Sequence, residues 1–377
     1  MSARLWGALL MSGITLWGRC SPADSAAALG ALQAQLRAVI EQVRAQARMS
    51  VVVTDGAGRR YFEHAAEQPL VPASVTKLFW SVAALAVFGD SAVVTTRVCA
   101  DAPLHADGTL RGNLYLVGGG DALLSLQELE ELAFQLFRRG LRRVTGAVLA
   151  DGSLFDEQRN RLQYSGDTDP VEPLPPITAL GFERNTVRVI LTAARGRISA
   201  QTVPASPAFV VDATGVRIGK ARRGQRASLR VRSRVRGSVQ YIVLSGRVAR
   251  QGTWSLSVPM EKPEAATAAT FAQRLRAVGV RIEGGSGEGR CPPTAMVLAV
   301  WERPLRELLS VINKDSDNFV AEHLLKLLGA RAPGEGTQAE RAGSCGRSSS
   351  AGACRAENVL SGMAPGCRAA TESAQKT

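Results

Sequence analysis

The sequence predicts an α/β protein whose helical framework is interrupted by a long strand-rich stretch. Three observations carry that expectation. A helix, a hairpin and a second helix occupy residues 29–90; short β-branched segments separated by turn residues fill residues 91–252; helical periodicity returns over residues 253–333. At 377 residues the chain is long enough for two or three packed cores. Its 45% apolar and 21% charged content is that of an ordinary soluble globular protein.

Residues 1–28, MSARLWGALLMSGITLWGRCSPADSAAA, read as a signal peptide. Arg4 supplies a positive start, Leu5 to Trp17 is an apolar run too short to span a bilayer, and the small residues from Ala23 to Ala28 suit cleavage. Arg19 stands where a small residue precedes a lipidated cysteine, so a lipid anchor on Cys20 is not expected. The expected location is periplasmic or secreted.

Leu29 to Gln46 has helical periodicity, and MSVVVTDGAGRRYFEH reads as a hairpin about Asp55-Gly56-Ala57-Gly58. The next segment, VPASVTKLFWSVAALAVFG, is apolar on nearly every side and predicts a buried helix. GNLYLVGGGDALLS, LRRVTGAVLADGSLFD and NTVRVILTAA supply strands and turns of the middle region. LRVRSRVRG, residues 229–237, alternates strictly, so Arg230, Arg232, Arg234 and Arg236 share one face and Leu229, Val231 and Val235 the other. That face is either the solvated side of a half-buried sheet or an electrostatic guide for an anionic wall polymer. The formal charge of +13 suits anionic partners generally. ATFAQRLRAVGVRIEG resumes helix then strand, and LRELLSVINKDSDNFVAEHLLKLLG predicts two amphipathic helices with a polar break from Lys314 to Asp317. Residues 334–377, rich in Ala, Gly, Ser and Arg without a sustained period, read as disordered.

Several chemistries are excluded. His64, His105 and His323 fall in no zinc-ligand spacing, and the six cysteines (Cys20, Cys99, Cys291, Cys345, Cys354 and Cys367) form no zinc-type pair. No G-x-S-x-G elbow surrounds a serine. Gly118-Gly119-Gly120-Asp121 is followed by no Gly-Lys-Ser/Thr, so it reads as a strand-ending turn, not a phosphate loop. No basic run interleaved with aromatics points to nucleic acid. Nothing calls for a metal or organic cofactor. Export would permit a Cys99–Cys291 bridge; buried free thiols are the alternative.

Two short patterns remain. Ser74 and Lys77 are one helical turn apart, which fits either a helix cap or a hydroxyl beside its base. Ser316 and Asn318 sit two apart in the polar break, where a turn can aim both side chains into a cleft. PASVTK, GNLYLVGGGD, VTGAVLADGSLF and INKDSDNFVAEHLLKLLG occur in the order found in penicillin-binding serine peptidases. Over residues 48–332 the chain resembles the D-alanyl-D-alanine carboxypeptidase/endopeptidases, the low-molecular-mass class C penicillin-binding proteins.

The resemblance implies an α/β penicillin-binding protein/β-lactamase-like peptidase domain, a central antiparallel sheet with helices, interrupted by a mainly β insertion. It implies Ser74 as nucleophile, Lys77 acting on its proton, Ser316 relaying a proton toward the leaving amine, Asn318 holding the substrate amide and Asp151 contacting the peptide stem. Expected partners are peptidoglycan stem peptides and, as inhibitors, β-lactams. One family feature is missing: no Lys-Thr-Gly occurs, the chain ending Gln375-Lys376-Thr377. The expectations are therefore a serine D,D-peptidase truncated before that motif, or an inactive wall-binding form, with a β-lactamase as a third option.

Overall fold

The computed structural model describes residues 22–163, 173–219 and 227–331. The predicted leader through residue 21, the tail from 334, and Cys20, Cys345, Cys354 and Cys367 lie outside the described residues. The described residues fall into two compact units, one from residue 22 to 72 and the other from residue 73 to 331.

In the first unit, α1 (Pro22–Val43) starts seven residues before the expected Leu29, with proline at the position where its missing N–H costs nothing. It is followed by the antiparallel hairpin β1 (Val51–Thr54) and β2 (Arg60–His64). Asp55 makes the turn, its carboxylate accepting the N–H groups of Ala57 and Arg59 at 3.0 and 2.8 Å. Ile40 and Phe62 are the buried apolar residues of this unit.

The second unit opens with a 3₁₀ turn over Ala73–Val75 that runs into α2 (Thr76–Phe88). β3 (Val93–Ala100), β4 (Thr109–Leu110) and β5 (Leu114–Val117) precede α3 (Leu126–Arg138). β6 (Arg143–Val144) and β7 (Val148–Asp151) follow, then β8 (Thr186–Ala194) and β9 (Arg197–Val203). β10 (Phe209–Ile218), β11 (Ala227–Arg236), β12 (Val239–Val248) and β13 (Gly252–Pro259) lead to α4 (Pro263–Ala277). The described chain closes with β14 (Arg281–Ile282), β15 (Ser286–Glu288), β16 (Met296–Pro304), α5 (Leu305–Lys314) and α6 (Asn318–Arg331).

A five-stranded sheet in the order β15-β7-β5-β3-β16 forms the centre of this unit. Its β3–β16 pairing, from Val93 opposite Pro304 to Ala100 opposite Met296, joins segments about two hundred residues apart. The strand-rich region therefore closes at Pro304. A boundary at residue 252 falls where β13 begins, and β13 pairs with β8 inside that region. The correction has a simple cause: long-range pairing leaves no local mark in composition.

Within that stretch, two three-stranded sheets, β13-β8-β9 and β10-β12-β11, bury Val187, Val189, Leu191, Ile242, Leu244 and Val248 in a core shared with α3 and α4. α3 was not expected, although its signature is present. Ser125 caps it in a capping box with Glu128, and Leu129, Leu132, Ala133 and Leu136 line one face.

The glycine triplet owes its composition to crowding. A Cβ on Gly118 would stand 2.3 Å from Ala179 O, and one on Gly119 2.0 Å from Thr95 O. Gly120 adds a φ of +86°. Asp121, next in the chain, takes both its oxygens to Arg303 Nε at 2.8 and 2.9 Å.

A second core, with Ala84, Val94, Ala122, Phe155, Ile177, Leu308, Ile312, Phe319, Val320 and Leu324, lies beneath α2, α5 and α6. α2 packs there on one side only, and Leu78 (52% exposed), Val82 and Leu85 remain open. The expected all-round burial of this helix is thus corrected: hydropathy marks what a helix can bury, not how many neighbours reach it.

His323 on α6 is fully enclosed, its ring nitrogens 2.8 Å from Phe319 O and 3.1 Å from Thr178 O. Burial pushes its pKa down to about 4 against the two carbonyls. Between that value and the unfolded value near 6.5 the unfolded chain holds the extra proton, so stability is lost as pH falls through this window. From pH 7 to pH 5 the expected loss is about 2 kcal/mol. Urea melts should show it, and should lose that part of the pH slope in His323→Gln.

Candidate active site

Ser74 sits in the 3₁₀ turn and Lys77 in the first turn of α2, so the three-residue spacing places both on the same side of one helix start. α5 ends at Lys314 and α6 starts at Asn318, as the polar break predicts. Between them Ser316 adopts a left-handed backbone, φ +55°, which turns its carbonyl and its hydroxyl toward the same neighbour. Asp317 caps α6 through Val320 N–H at 2.9 Å and pairs on its other oxygen with Arg184.

Ser74, Ser316 and Asn318 converge on Lys77 Nζ. Ser74 Oγ lies at 3.3 Å, Ser316 O at 2.8 Å, Ser316 Oγ at 3.2 Å and Asn318 Oδ1 at 2.5 Å. Ser74, Ser316 and Asn318 face solvent, whereas Lys77 is only 8% exposed. The arrangement is open to a substrate and closed around the amine.

Desolvation lowers the Lys77 pKa from its ordinary value, and Arg161 adds to the effect; Asp317 and Glu322 oppose it. The hydrogen-bond count suits an ammonium and a neutral amine alike. In the neutral form its two N–H groups match the two carbonyl-type acceptors, Ser316 O and Asn318 Oδ1, and the lone pair is left for a hydroxyl. Ser81, one turn along α2, places Oγ 3.0 Å from Lys77 O and 3.1 Å from Asn313 Oδ1, joining α2 to α5 behind the cluster.

Asp151 does not join the cluster. Its Oδ1 accepts Ser153 N–H at 2.9 Å and its Oδ2 accepts Cys291 N–H at 2.7 Å, and the side chain is buried. Two backbone amides hold this carboxylate in place on the wall of a cavity away from the Lys77 cluster. Cys99 and Cys291 do meet, both on the wall of one cavity.

Two residues outside the sequence expectations matter to the site. Arg184 holds Asp317, which an aspartate at a helix start could have suggested only for the acidic partner. Arg303, buried at the end of β16, donates to Asp121, Glu128 (2.5 Å), Glu307 (2.9 Å) and Leu123 O (3.3 Å). Burial works against its charge, but the carboxylates of Asp121 and Glu128 outweigh it and raise its pKa further. This cluster fixes the start of α5, whose far end delivers Ser316.

On the β10-β12-β11 sheet, Arg230, Arg232, Arg234 and Arg236 all point outward, as the alternation predicts. The register adds Arg247, opposite Ser228, and Arg217, opposite Arg247, to the same face. Six arginines accompany a single acidic residue, Asp212, on that face.

The architecture is that of the penicillin-binding proteins. It matches the solved penicillin binding protein 4 of Haemophilus influenzae with a TM-score of 0.61 and 22% identity, over 75% of this chain and 62% of that one. The same protein complexed with a β-lactam matches at 0.58.

The chain belongs to the D-Ala-D-Ala carboxypeptidase 3 (S13) family, which it matches over residues 32–349. It is 29% identical to a D-alanyl-D-alanine carboxypeptidase of Actinomadura sp. (strain R39) over 86% of its length, and 26% identical to a D-alanyl-D-alanine carboxypeptidase of Haemophilus influenzae over 68%. It spans 62% and 53% of those relatives. The resemblance read from the four motifs is borne out, and the β-lactamase option gains no support. No described helix is long and apolar enough to cross a membrane.

Proposed function

We propose that this chain is an exported serine D,D-peptidase of peptidoglycan stem peptides that forms its acyl-enzyme, and its penicillin adduct, on Ser74. One observation carries the reading: Lys77 Nζ stands within hydrogen-bond reach of Ser74 Oγ, Ser316 and Asn318 at once.

A serine hydroxyl needs a base to become a nucleophile at neutral pH. Lys77 takes the Ser74 proton as Oγ attacks the carbonyl between two D-alanines. Ser316 Oγ, 3.2 Å from the same amine, passes a proton to the departing amine. Asn318 gives its Oδ1 to Lys77 and keeps its amide N–H groups for the substrate. The start of α2 presents backbone N–H groups toward the charge that develops on the carbonyl oxygen.

Incubation with a fluorescent penicillin tests the proposal. A covalent label in the unaltered chain that disappears in Ser74→Ala supports it; a folded chain that takes no label under any condition overturns it. In the resembled family a Lys-Thr-Gly motif, which does not occur in this sequence, lies beside an oxyanion donor, and loss of one such donor typically costs ~10²–10³ in rate. Labelling is therefore expected over hours.

The arginine face supports a second contact, with anionic wall polymer. Six like charges on one exposed sheet face attract a polyanion through displaced counterions, and salt screens that attraction within about 8 Å at physiological ionic strength. Retention on sacculi should fall steeply between low and high salt, and Arg232→Glu with Arg234→Glu should abolish the salt-sensitive part. Retention indifferent to salt would remove this contact.

A further inference from the structure

Cys99 is the seventh residue of β3, on the face of the central sheet turned away from the α3–α4 core, opposite Tyr115 on β5. Cys291 lies in the Gly289–Ala295 segment that leads from β15 to β16. Residues 292 and 293 are prolines and offer no N–H, so the segment is held by few bonds: Gly289 N–H to Ala150 O at 2.9 Å and Cys291 N–H to Asp151 Oδ2 at 2.7 Å. The second of these aims Cys291 across the sheet. The two side chains line one cavity of about 740 Å³ together with Arg97 and Asp151, and each perturbs the ionisation of the other.

We propose that Cys99 and Cys291 are an oxidisable pair that closes to a disulfide and staples the 289–295 segment onto the central sheet. A metal is not the better occupant. No group of three or more His, Cys, Asp or Glu is arranged to hold one among the described residues.

The oxidant is an external disulfide, a protein disulfide or oxidised glutathione. Cys291, the more accessible of the two, attacks it as a thiolate. One sulfur leaves as a thiol and a mixed disulfide remains on Cys291. Cys99, deprotonated in turn, displaces the second thiol and forms the internal bond. Two protein thiols are oxidised, one external disulfide is reduced to two thiols, and the two protons pass to the leaving sulfurs.

The surroundings set the rate. Burial pushes the Cys291 pKa up to about 11, and Cys99 and Asp151 add to the rise; burial raises Cys99 as well. Thiolate is scarce at neutral pH, so closure is slow there and speeds about tenfold per pH unit from 7 to 9. The bond, once formed, is inaccessible to reductant except at Cys291.

The full chain, incubated with oxidised glutathione, then alkylated and digested, tests this. Expected is a peptide joining Cys99 to Cys291, a melting temperature raised by about 5 °C over the dithiothreitol-treated chain, and loss of both in Cys291→Ser. Cys291 is the half-buried partner, so that variant keeps the fold. A stable glutathione adduct on Cys291 with Cys99 still alkylatable after unfolding would overturn the proposal. So would either cysteine bridged to Cys20, Cys345, Cys354 or Cys367 in its place.

Discussion

Lys77→Met should slow labelling of Ser74 by a fluorescent penicillin by about 10²–10⁴, the range lost when a positioned base is removed. Methionine keeps the length and apolar stem of lysine, so the fold should persist while the proton acceptor is gone. The same experiment has a pH signature. The folded Lys77 pKa lies below its ordinary value because the amine is desolvated, and in the proposed mechanism the reactive form is the neutral one. Labelling should therefore rise with pH and level off below the usual lysine range. A variant that labels as fast as the unaltered chain, or a flat profile from pH 6 to 9, would mean that another group takes the proton. Ser316→Ala removes the nearer hydroxyl and should leave that pH midpoint while lowering the plateau, since the carbonyl of residue 316 still holds the amine.

The second large effect concerns stability. Arg303→Leu should cost about 3–5 kcal/mol, because it strands the buried carboxylate of Asp121, leaves Glu128 without its partner and orphans Leu123 O. Denaturant melts read this directly. Burial already pulls the Asp121 pKa upward, and without the guanidinium, which opposes that rise, it would climb further. The loss should consequently shrink as pH is lowered. Double replacement with Asp121→Asn should recover part of it; a loss under 1 kcal/mol in the single variant would mean that the cluster relaxes or admits water.

The sequence told more about the site than about its scaffold. Ser74 with Lys77, and Ser316 with Asn318, were legible because each pair is local: a helical turn fixes the first and a two-residue break the second. Their meeting was legible only through the order of four motifs, since nothing in either stretch specifies the other. α3 has a legible signature, but its capping box and apolar stripe sit among strands, and the surrounding texture masks them. The closing of the strand-rich region at Pro304 was not readable, because β3 and β16 pair across the whole insertion. Asp151 is ambiguous for a related reason. An aspartate opening a turn has the same local signature whether its oxygens face a ligand or the amide of Cys291.

The left-handed backbone at Ser316 narrows what evolution or an engineer can place there. Threonine carries the same hydroxyl, yet its branched Cβ is poorly tolerated at positive φ. Glycine, asparagine and aspartate accept that conformation but give up the alcohol. The proposed proton relay is thus restricted to serine by the shape of the main chain as much as by the chemistry of the side chain.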